Sequence, residues 1–333
     1  MPRPEPERVT LAALPTPLVR LERLGRHLGD VQIWMKRDDL TGLELSGNKV
    51  RKLEYVVEDA LAKGCDTLVT EGTCQSNHCR ATAAVCARLG MQAVLLLRPE
   101  ATVEPQGNHL LDVLFGARTH FYPQERFEND RKAIVDTVLA ELMENGRKPR
   151  WIPMGASEPL GCWGYIRAMV ELADQLGRVG VDACDVIVPV SSGGTYAGAL
   201  LGTMLHRLEG LCVWGVPVSD DVAHHTREVG GLCRQAAKQF ALPVEFADAH
   251  MRFLDGYVGE GYAMPYAAAI EAIRLLARME GIILDPVYTA KAFCALLDGC
   301  RDGRFGRERP VVFIHTGGIF SDFASSQTLL GDE

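Results

Sequence analysis

Val186-Ile-Val-Pro-Val190-Ser191-Ser192-Gly193-Gly194-Thr195-Tyr196-Ala197-Gly198 passes from an unbroken apolar run, through small polar residues and glycines, into a segment with small residues on one face. A short β-branched run that ends in such a loop and then takes up helical spacing is a buried strand feeding a helix. Amides at that junction point outward, and glycines let an anion approach the backbone, so the loop is a candidate phosphate cradle. A tight structural turn is the plainer alternative, but two serines, two glycines and a threonine together favour the anion site. Neither Gly-x-Gly-x-x-Gly nor the Walker sequence is present, which weakens nucleotide readings. Val186 to Leu205 carries no formal charge, yet Pro189 and the loop interrupt it, so a membrane span is not expected.

The same alternation continues on both sides. Gln32 to Lys36, Thr67 to Thr70, Ala93 to Leu97, Thr119 to Tyr122, Cys212 to Val218 and Val311 to His315 have strand character. Asn48 to Lys63, Asn77 to Leu89, Gln106 to Phe115, Asn129 to Asn145, Gly164 to Leu176, Thr195 to Leu208, Tyr266 to Glu280 and Thr289 to Gly299 repeat apolar residues at helical spacing. Strand-helix alternation predicts an α/β fold with parallel, doubly wound sheets flanked by helices. Gly, Ser and Pro cluster at Ser46 to Lys49 and Pro153 to Gly161, the expected seams. They predict a small domain, 51–159, set between segments 1–50 and 160–333 of a large one, with the ligand in the cleft between them.

Composition agrees with an ordinary globular protein: 333 residues, 47% hydrophobic and 23% charged, with a net charge of −8. A mildly acidic chain is a poor general partner for nucleic acid or anionic membrane, so a small-molecule ligand is expected. The ten cysteines are scattered from Cys65 to Cys300 with no Cys-x-x-Cys pair, which suits reduced thiols in the cytoplasm. Met1 to Arg8 has prolines and acids where a signal peptide needs an apolar run. No spaced His or Cys set suggests a metal site, and His224-His225 is expected to be a surface pair.

Further candidates sit at strand ends or helix starts, where ligands bind in open sheets. Ser46-Gly47-Asn48-Lys49-Val50-Arg51-Lys52 puts Lys49 in the first turn of a helix, an electropositive place that disfavours an ammonium. A solvated basic turn is the alternative. Gly72-Thr73-Cys74-Gln75-Ser76-Asn77-His78 exceeds the needs of a helix cap and could grip a carboxylate. Tyr257, Tyr262, Asp285-Pro286-Val287-Tyr288-Thr289 and His315-Thr316-Gly317-Gly318 form a scattered fourth group, each member explicable alone as packing, capping or a turn.

In order along the chain, Ser46 to Tyr55, Gln75 to His78, Ser192 to Gly198, Leu284 to Lys291 and His315 to Gly318, with Leu14-Pro-Thr-Pro-Leu18 and Lys36-Arg-Asp-Asp-Leu40, resemble the family of 1-aminocyclopropane-1-carboxylate deaminases and D-cysteine desulfhydrases. The resemblance covers almost the whole chain. It implies a tryptophan synthase β-like architecture (fold type II of pyridoxal phosphate enzymes), with two open, twisted, mostly parallel sheets, pyridoxal 5'-phosphate as cofactor, and a homodimer. It implies that Lys49 holds the cofactor as a Schiff base and that Asn77 bonds the ring hydroxyl. Ser192, Gly193, Gly194 and Thr195 would hold the phosphate, and Thr289 and Thr316 would lie by the pyridine nitrogen. Ser76, Asn77 and His78 would hold the substrate carboxylate, with Tyr262 and Tyr288 lining the substrate side. Lys49 or Ser76 would take the α-proton.

The deaminases carry an acid and a leucine where this chain has Thr289 and Thr316. A hydroxyl makes the ring a weaker electron sink than an acid does, which favours β-elimination over ring opening. The resemblance therefore implies a lyase converting D-cysteine to pyruvate, ammonia and hydrogen sulfide. The alternatives are a 1-aminocyclopropane-1-carboxylate deaminase and a lyase for another β-substituted amino acid such as cysteate. From other classes come a non-catalytic ligand-binding protein, opposed by the lysine and tyrosines, and a nucleotide-binding oxidoreductase, opposed by the missing fingerprint. Gly155-Ala156-Ser157-Glu158 and Ile319 to Phe323 depart from the family's pattern. Glu158 is expected to border the substrate and favour a positively charged group on it, a solvent-facing carboxylate being the plainer alternative.

Overall fold

Nine strands form two sheets in a computed structural model that describes residues 5–98 and 104–330, so the start of the Met1 to Arg8 segment lies outside the described residues. The strands are β1 (Leu18–Arg20), β2 (Ile33–Lys36), β3 (Thr67–Thr73), β4 (Gln92–Arg98), β5 (Arg118–Phe121), β6 (Pro149–Trp151), β7 (Cys184–Val190), β8 (Leu211–Pro217) and β9 (Val311–Ile314). The helices are α1 (Glu22–His27), α2 (Lys49–Ala62), α3 (Asn77–Leu89), α4 (Gly107–Leu114), α5 (Gln124–Glu144), α6 (Trp163–Arg178), α7 (Gly194–Leu205), α8 (Val222–Gln239), α9 (Ala267–Glu280), α10 (Thr289–Arg301), α11 (Phe320–Ala324) and α12 (Ser326–Leu330).

One sheet has the order β1-β2-β9-β7-β8, parallel except for β1 against β2. The other, β5-β4-β3-β6, is wholly parallel. Alternating side chains of β7 enter separate cores: Val186, Val188 and Val190 join α6, α7 and α8, while Ile187 joins α9 and α10. The second sheet repeats the device, with Leu68, Leu95 and Leu97 against α2 and α3, and Val69, Val94 and Leu96 against α5. Burial on both faces explains why these strands read as continuous apolar runs.

Polar networks fix the pieces to each other. Arg51 of α2 donates to both Asp38 oxygens, at 2.8 and 2.9 Å, and to Glu171 of α6 at 2.9 and 3.0 Å. Tyr165 donates to Asp38 at 2.6 Å, and Lys36 of β2 pairs with Glu171. This cluster ties α2, which packs on the second sheet, to β2 and α6 of the first. Arg51 and Lys52 are both buried, so the solvated basic turn is corrected: the helix start turns inward.

Residues 186–205 form β7, the loop and α7, and no helix of the described residues is long and apolar enough to cross a membrane. Cys65, Cys79, Cys86, Cys162, Cys184, Cys212, Cys233, Cys294 and Cys300 are free thiols. His225 is buried and only His224 reaches a cavity, which corrects the expected surface pair.

Candidate active site

Ends of β3, β4 and β7, the loops after β8 and β9, and the starts of α2, α3 and α7 enclose a cavity of about 710 Å³. It brings together Lys49, Ser76, Asn77, His78, Ser192, Gly193, Thr195, Tyr262, Tyr288 and Thr316 of the expected site.

Lys49 opens α2. Its Nζ donates to Asn48 Oδ1 at 2.9 Å and lies 5.9 Å from the Tyr288 ring centroid. Burial pushes the amine down to about 8, with Arg80 acting in the same direction and Asp285 opposing. Asn48 Nδ2 donates to Thr195 Oγ1 at 2.8 Å, so one amide joins the lysine to the glycine loop. The loop before α2 is tight: Gly47 sits at φ +105°, where a Cβ would meet the Thr316 carbonyl at 2.7 Å. The Asn48 amide donates to that carbonyl at 3.1 Å.

Gly193, at φ +82°, is the cap of α7, and a Cβ there would lie 3.1 Å from Val229. The first amides of α7 have no acceptor within their own helix, which is what makes the turn an anion seat. Gly194 N donates to Ser157 Oγ at 3.1 Å, and Ser157 Oγ donates to Ser192 Oγ at 2.9 Å. Gly194 is thus set behind the cavity wall, bonded to Ser157.

Ser76 caps α3, accepting from Cys79 N at 3.2 Å. Asn77 Oδ1 accepts from Asn108 Nδ2 at 3.1 Å, which leaves the Asn77 N–H groups to donate elsewhere. Thr70 Oγ1 donates to the Ile152 carbonyl at 2.8 Å, so its 2.9 Å contact with His78 assigns the proton to His78 Nε2. His78 Nδ1 is then an acceptor, buried and without a partner among the described residues. Burial, with the charges of Lys49 and Lys52, holds this imidazole well below its usual range, so it is neutral. Tyr262 and Tyr288 share a hydrogen bond of 2.5 Å, and burial raises both phenols.

Two expected positions are corrected. Thr289 is fully buried outside the cavity, because its hydroxyl donates to Asp285 Oδ1 at 2.6 Å in the cap of α10. Asp285 takes the amides of Val287, Tyr288 and Thr289 as well, and thereby aims Tyr288. Glu158 is also absent from the cavity wall: Arg150 binds it at 3.0 Å, so it supplies no charge to the ligand. Tyr257 lies elsewhere, donating to Asp298 at 3.2 Å.

The sequence leaves Asn48, Lys52 and Arg98 unassigned. Lys52 is fully buried beside Lys49 and Cys162, and burial pushes its amine well down. The only signal in the sequence is three basic residues within one helical turn.

Residues 9–317 match the family described as pyridoxal-phosphate dependent enzyme. The D-cysteine desulfhydrase of Salmonella choleraesuis (strain SC-B67) is 42% identical over 322 residues, 95% of both chains. A solved structure described as an ACC deaminase homologue superposes with a TM-score of 0.88 at 38% identity, covering 98% of this chain and 96% of the other. Threonine deaminase isoform 2 from Solanum lycopersicum shares the fold, with a TM-score of 0.65 at 20% identity over 96% of this chain and 85% of its own.

Proposed function

Because the chain belongs to the pyridoxal-phosphate dependent enzyme family, we propose that it is a lyase eliminating the β-substituent of an amino acid, with D-cysteine giving pyruvate, ammonia and hydrogen sulfide. The observation that carries this reading is the Lys49 amine, lowered to about 8 and joined through Asn48 to Thr195 of the glycine loop. The relative named D-cysteine desulfhydrase supports the substrate.

The residues present fit the cofactor. A lysine with a lowered amine, and the first turn of α7 with its amides turned to the cavity at Gly193 and Thr195, suit an anionic ligand that carries an aldehyde. When bound, pyridoxal phosphate supplies an electron sink for the α-carbon. Lys49 is its attachment point. Ser192, Gly193 and Thr195 would hold the phosphate, with the Gly194 amide freed from Ser157 to join them. Asn77 would donate to the ring oxygen, and the Thr316 hydroxyl would face the ring nitrogen. Ser76, with the backbone amides of Asn77 and His78 at the start of α3, would hold the substrate carboxylate. Lys49 Nζ or Ser76 Oγ would move the α-proton, and the neutral Tyr262 and Tyr288 can donate to the departing group.

The test is the absorbance of the purified protein, followed by assay of sulfide and pyruvate with D- and L-cysteine. A band near about 410–420 nm with sulfide from the D-isomer is expected; no band after added cofactor would sink the reading. The ACC deaminase homologue favours ring opening as a second reading, which 2-oxobutanoate from 1-aminocyclopropane-1-carboxylate would reveal. Thr289 and Thr316, which stand where the deaminases carry an acid and a leucine, speak against it.

The division into a small domain, 51–159, within a large one belongs to the same proposal, supported by the two separate sheets. So does a homodimer in the cytoplasm. Leu110, Val113 and Leu114 of α4 are exposed, as is Phe323 of the adjoining α11, and Phe121 meets His109 of α4 edge-on at 5.6 Å. A patch of that kind suits a partner subunit, and sedimentation as a monomer at micromolar concentration would refute it.

A further inference from the structure

At the start of α3, the direction of one side-chain amide decides what the cavity wall can offer. Asn77 lines the cavity, and an asparagine amide can face either way, so its neighbours must fix it. The neighbour is Asn108 of α4, which is itself fixed twice. Its Oδ1 accepts from Arg80 Nε at 3.2 Å, and a guanidinium can only donate. Its Nδ2 donates to the Gln75 carbonyl at 3.0 Å, and a carbonyl can only accept. Both partners assign the same orientation. Asn108 Nδ2 therefore gives its second N–H to Asn77 Oδ1, at 3.1 Å, and Asn77 turns its own N–H groups to the cavity.

The surroundings hold Asn108 in that pose. Asn108 and Arg80 are both wholly buried. The Asn108 amide donates to Gln75 Oε1 at 3.1 Å, and Gly107, at φ +53°, permits the approach, since a Cβ there would meet Gln75 Oε1 and the Phe320 carbonyl at 2.5 Å. The Phe320 ring lies 5.1 Å from the Arg80 guanidinium. Arg80 also donates to the Glu44 carbonyl and, at 2.7 Å, to that of Ser46, in the loop that leads into Lys49. Asp112, one turn along α4, has both carboxylate oxygens buried without a partner among the described residues, so it does not take the guanidinium from these three oxygens. One arginine thus holds the loop before Lys49 and, through Asn108, the Asn77 amide. We propose that Asn108, anchored by Arg80, is a positioning residue for the cofactor: it keeps only N–H donors of Asn77 facing the ring oxygen, and thereby keeps that oxygen an oxyanion. A donor bonds a charged oxygen about twice as strongly as a neutral one, so it favours loss of the ring hydroxyl's proton.

The inference rests on the reading above in which Asn77 meets the ring oxygen, and two measurements on the full chain separate the two. In the first, holoenzyme is titrated across neutral pH by absorbance, since protonating the ring oxygen moves the band near about 410–420 nm to shorter wavelength. Asn108→Asp keeps an acceptor for Arg80 but offers Asn77 only oxygen, so the Asn77 amide turns over and its carbonyl faces the ring. The short-wavelength share at pH 7 should then rise about 10-fold or more, with its midpoint moved up in pH. In the second, cofactor-free chain is titrated by fluorescence with pyridoxal phosphate and with its 3-deoxy analogue, which lacks the ring oxygen. Wild type should prefer the natural cofactor by about 10-fold. Asn108→Asp and Asn77→Ala should both lose that preference, whereas a merely structural defect would weaken the two ligands equally. If Asn108→Asp keeps the wild-type spectrum and preference while Asn77→Ala loses the preference, the role of Asn108 is overturned and that of Asn77 stands. A preference absent from wild type, or retained in Asn77→Ala, overturns the premise and the proposal with it, while the lyase is judged by its own product assay. If Asn108→Asp does not fold, Asn108→Ser, which removes the donor without adding charge, decides by the same two readings.

Discussion

Lys49 owes its reactivity to where α2 begins. An ordinary lysine at pH 7 has fewer than about one amine in a thousand unprotonated, whereas one lowered to about 8 has roughly a tenth. Burial disfavours the charged form, so the neutral fraction grows as pH rises through 8 and levels off above it. Capture of added pyridoxal phosphate by the cofactor-free chain, followed by absorbance, should accelerate through that window; a rate still climbing at pH 10 would contradict the lowered amine. Lys49→Ala should lose the absorbance band and slow turnover by at least about 10²–10⁴, as product assays would show. Asn48 is missed in the sequence because asparagine before a helix reads as a cap, yet it makes no cap bond with its side chain and bridges Lys49 to Thr195 instead. Glu158 is misjudged for the opposite reason. Its partner, Arg150, lies close in sequence, but nothing short of the fold shows that the pair turns away from the cavity.

At the scale of elements, the β7-loop-α7 unit was legible because period, turn chemistry and composition agree there. The helix α8 was not. Its interior holds Gly230-Gly231, which lowers helix propensity, and only Val229, Leu232, Cys233 and Ala236 mark its buried stripe. Tertiary packing against α7 supplies what propensity withholds. The strands β1 and β6 escape notice because each has only three residues. Val229 also sets a test for the anion loop. Gly193→Ala places a methyl against it at a backbone conformation that costs alanine about 1–2 kcal/mol. Cofactor affinity, measured by fluorescence titration, should weaken about 10-fold, with a fall of a few degrees in Tm. Unaltered affinity would mean that the loop does not hold the phosphate.

At the scale of the molecule, the two sheets are tied by the buried cluster of Arg51, Asp38, Glu171 and Lys36. Burial alone would raise the Asp38 carboxyl, but Arg51, Lys36 and Tyr165 outweigh it and hold it below its ordinary range, and Arg51 does the same for Glu171. Groups lowered in this way stabilise the fold above their unfolded values, near about pH 4. That contribution disappears as pH falls through the lower folded values. Arg51→Met leaves the buried Asp38 without its ion-pair partner and Glu171 with Lys36 alone, and should destabilise the chain by about 3–5 kcal/mol at pH 7. Denaturant unfolding should show the gap to wild type narrowing as the pH is taken below 4; a gap independent of pH would argue against the ionic account.

The strand order also dictates a schedule. β9, far downstream of β2, lies between β2 and β7, and Thr316, two residues beyond it, supplies the carbonyl that seats Asn48. On the ribosome, β2 therefore waits for a neighbour that is made long after it, and the lysine beyond it waits too. A nascent chain holds its amino group as an ordinary one, unready for any aldehyde it meets. Only a chain made past Thr316 can seat its coenzyme in this way.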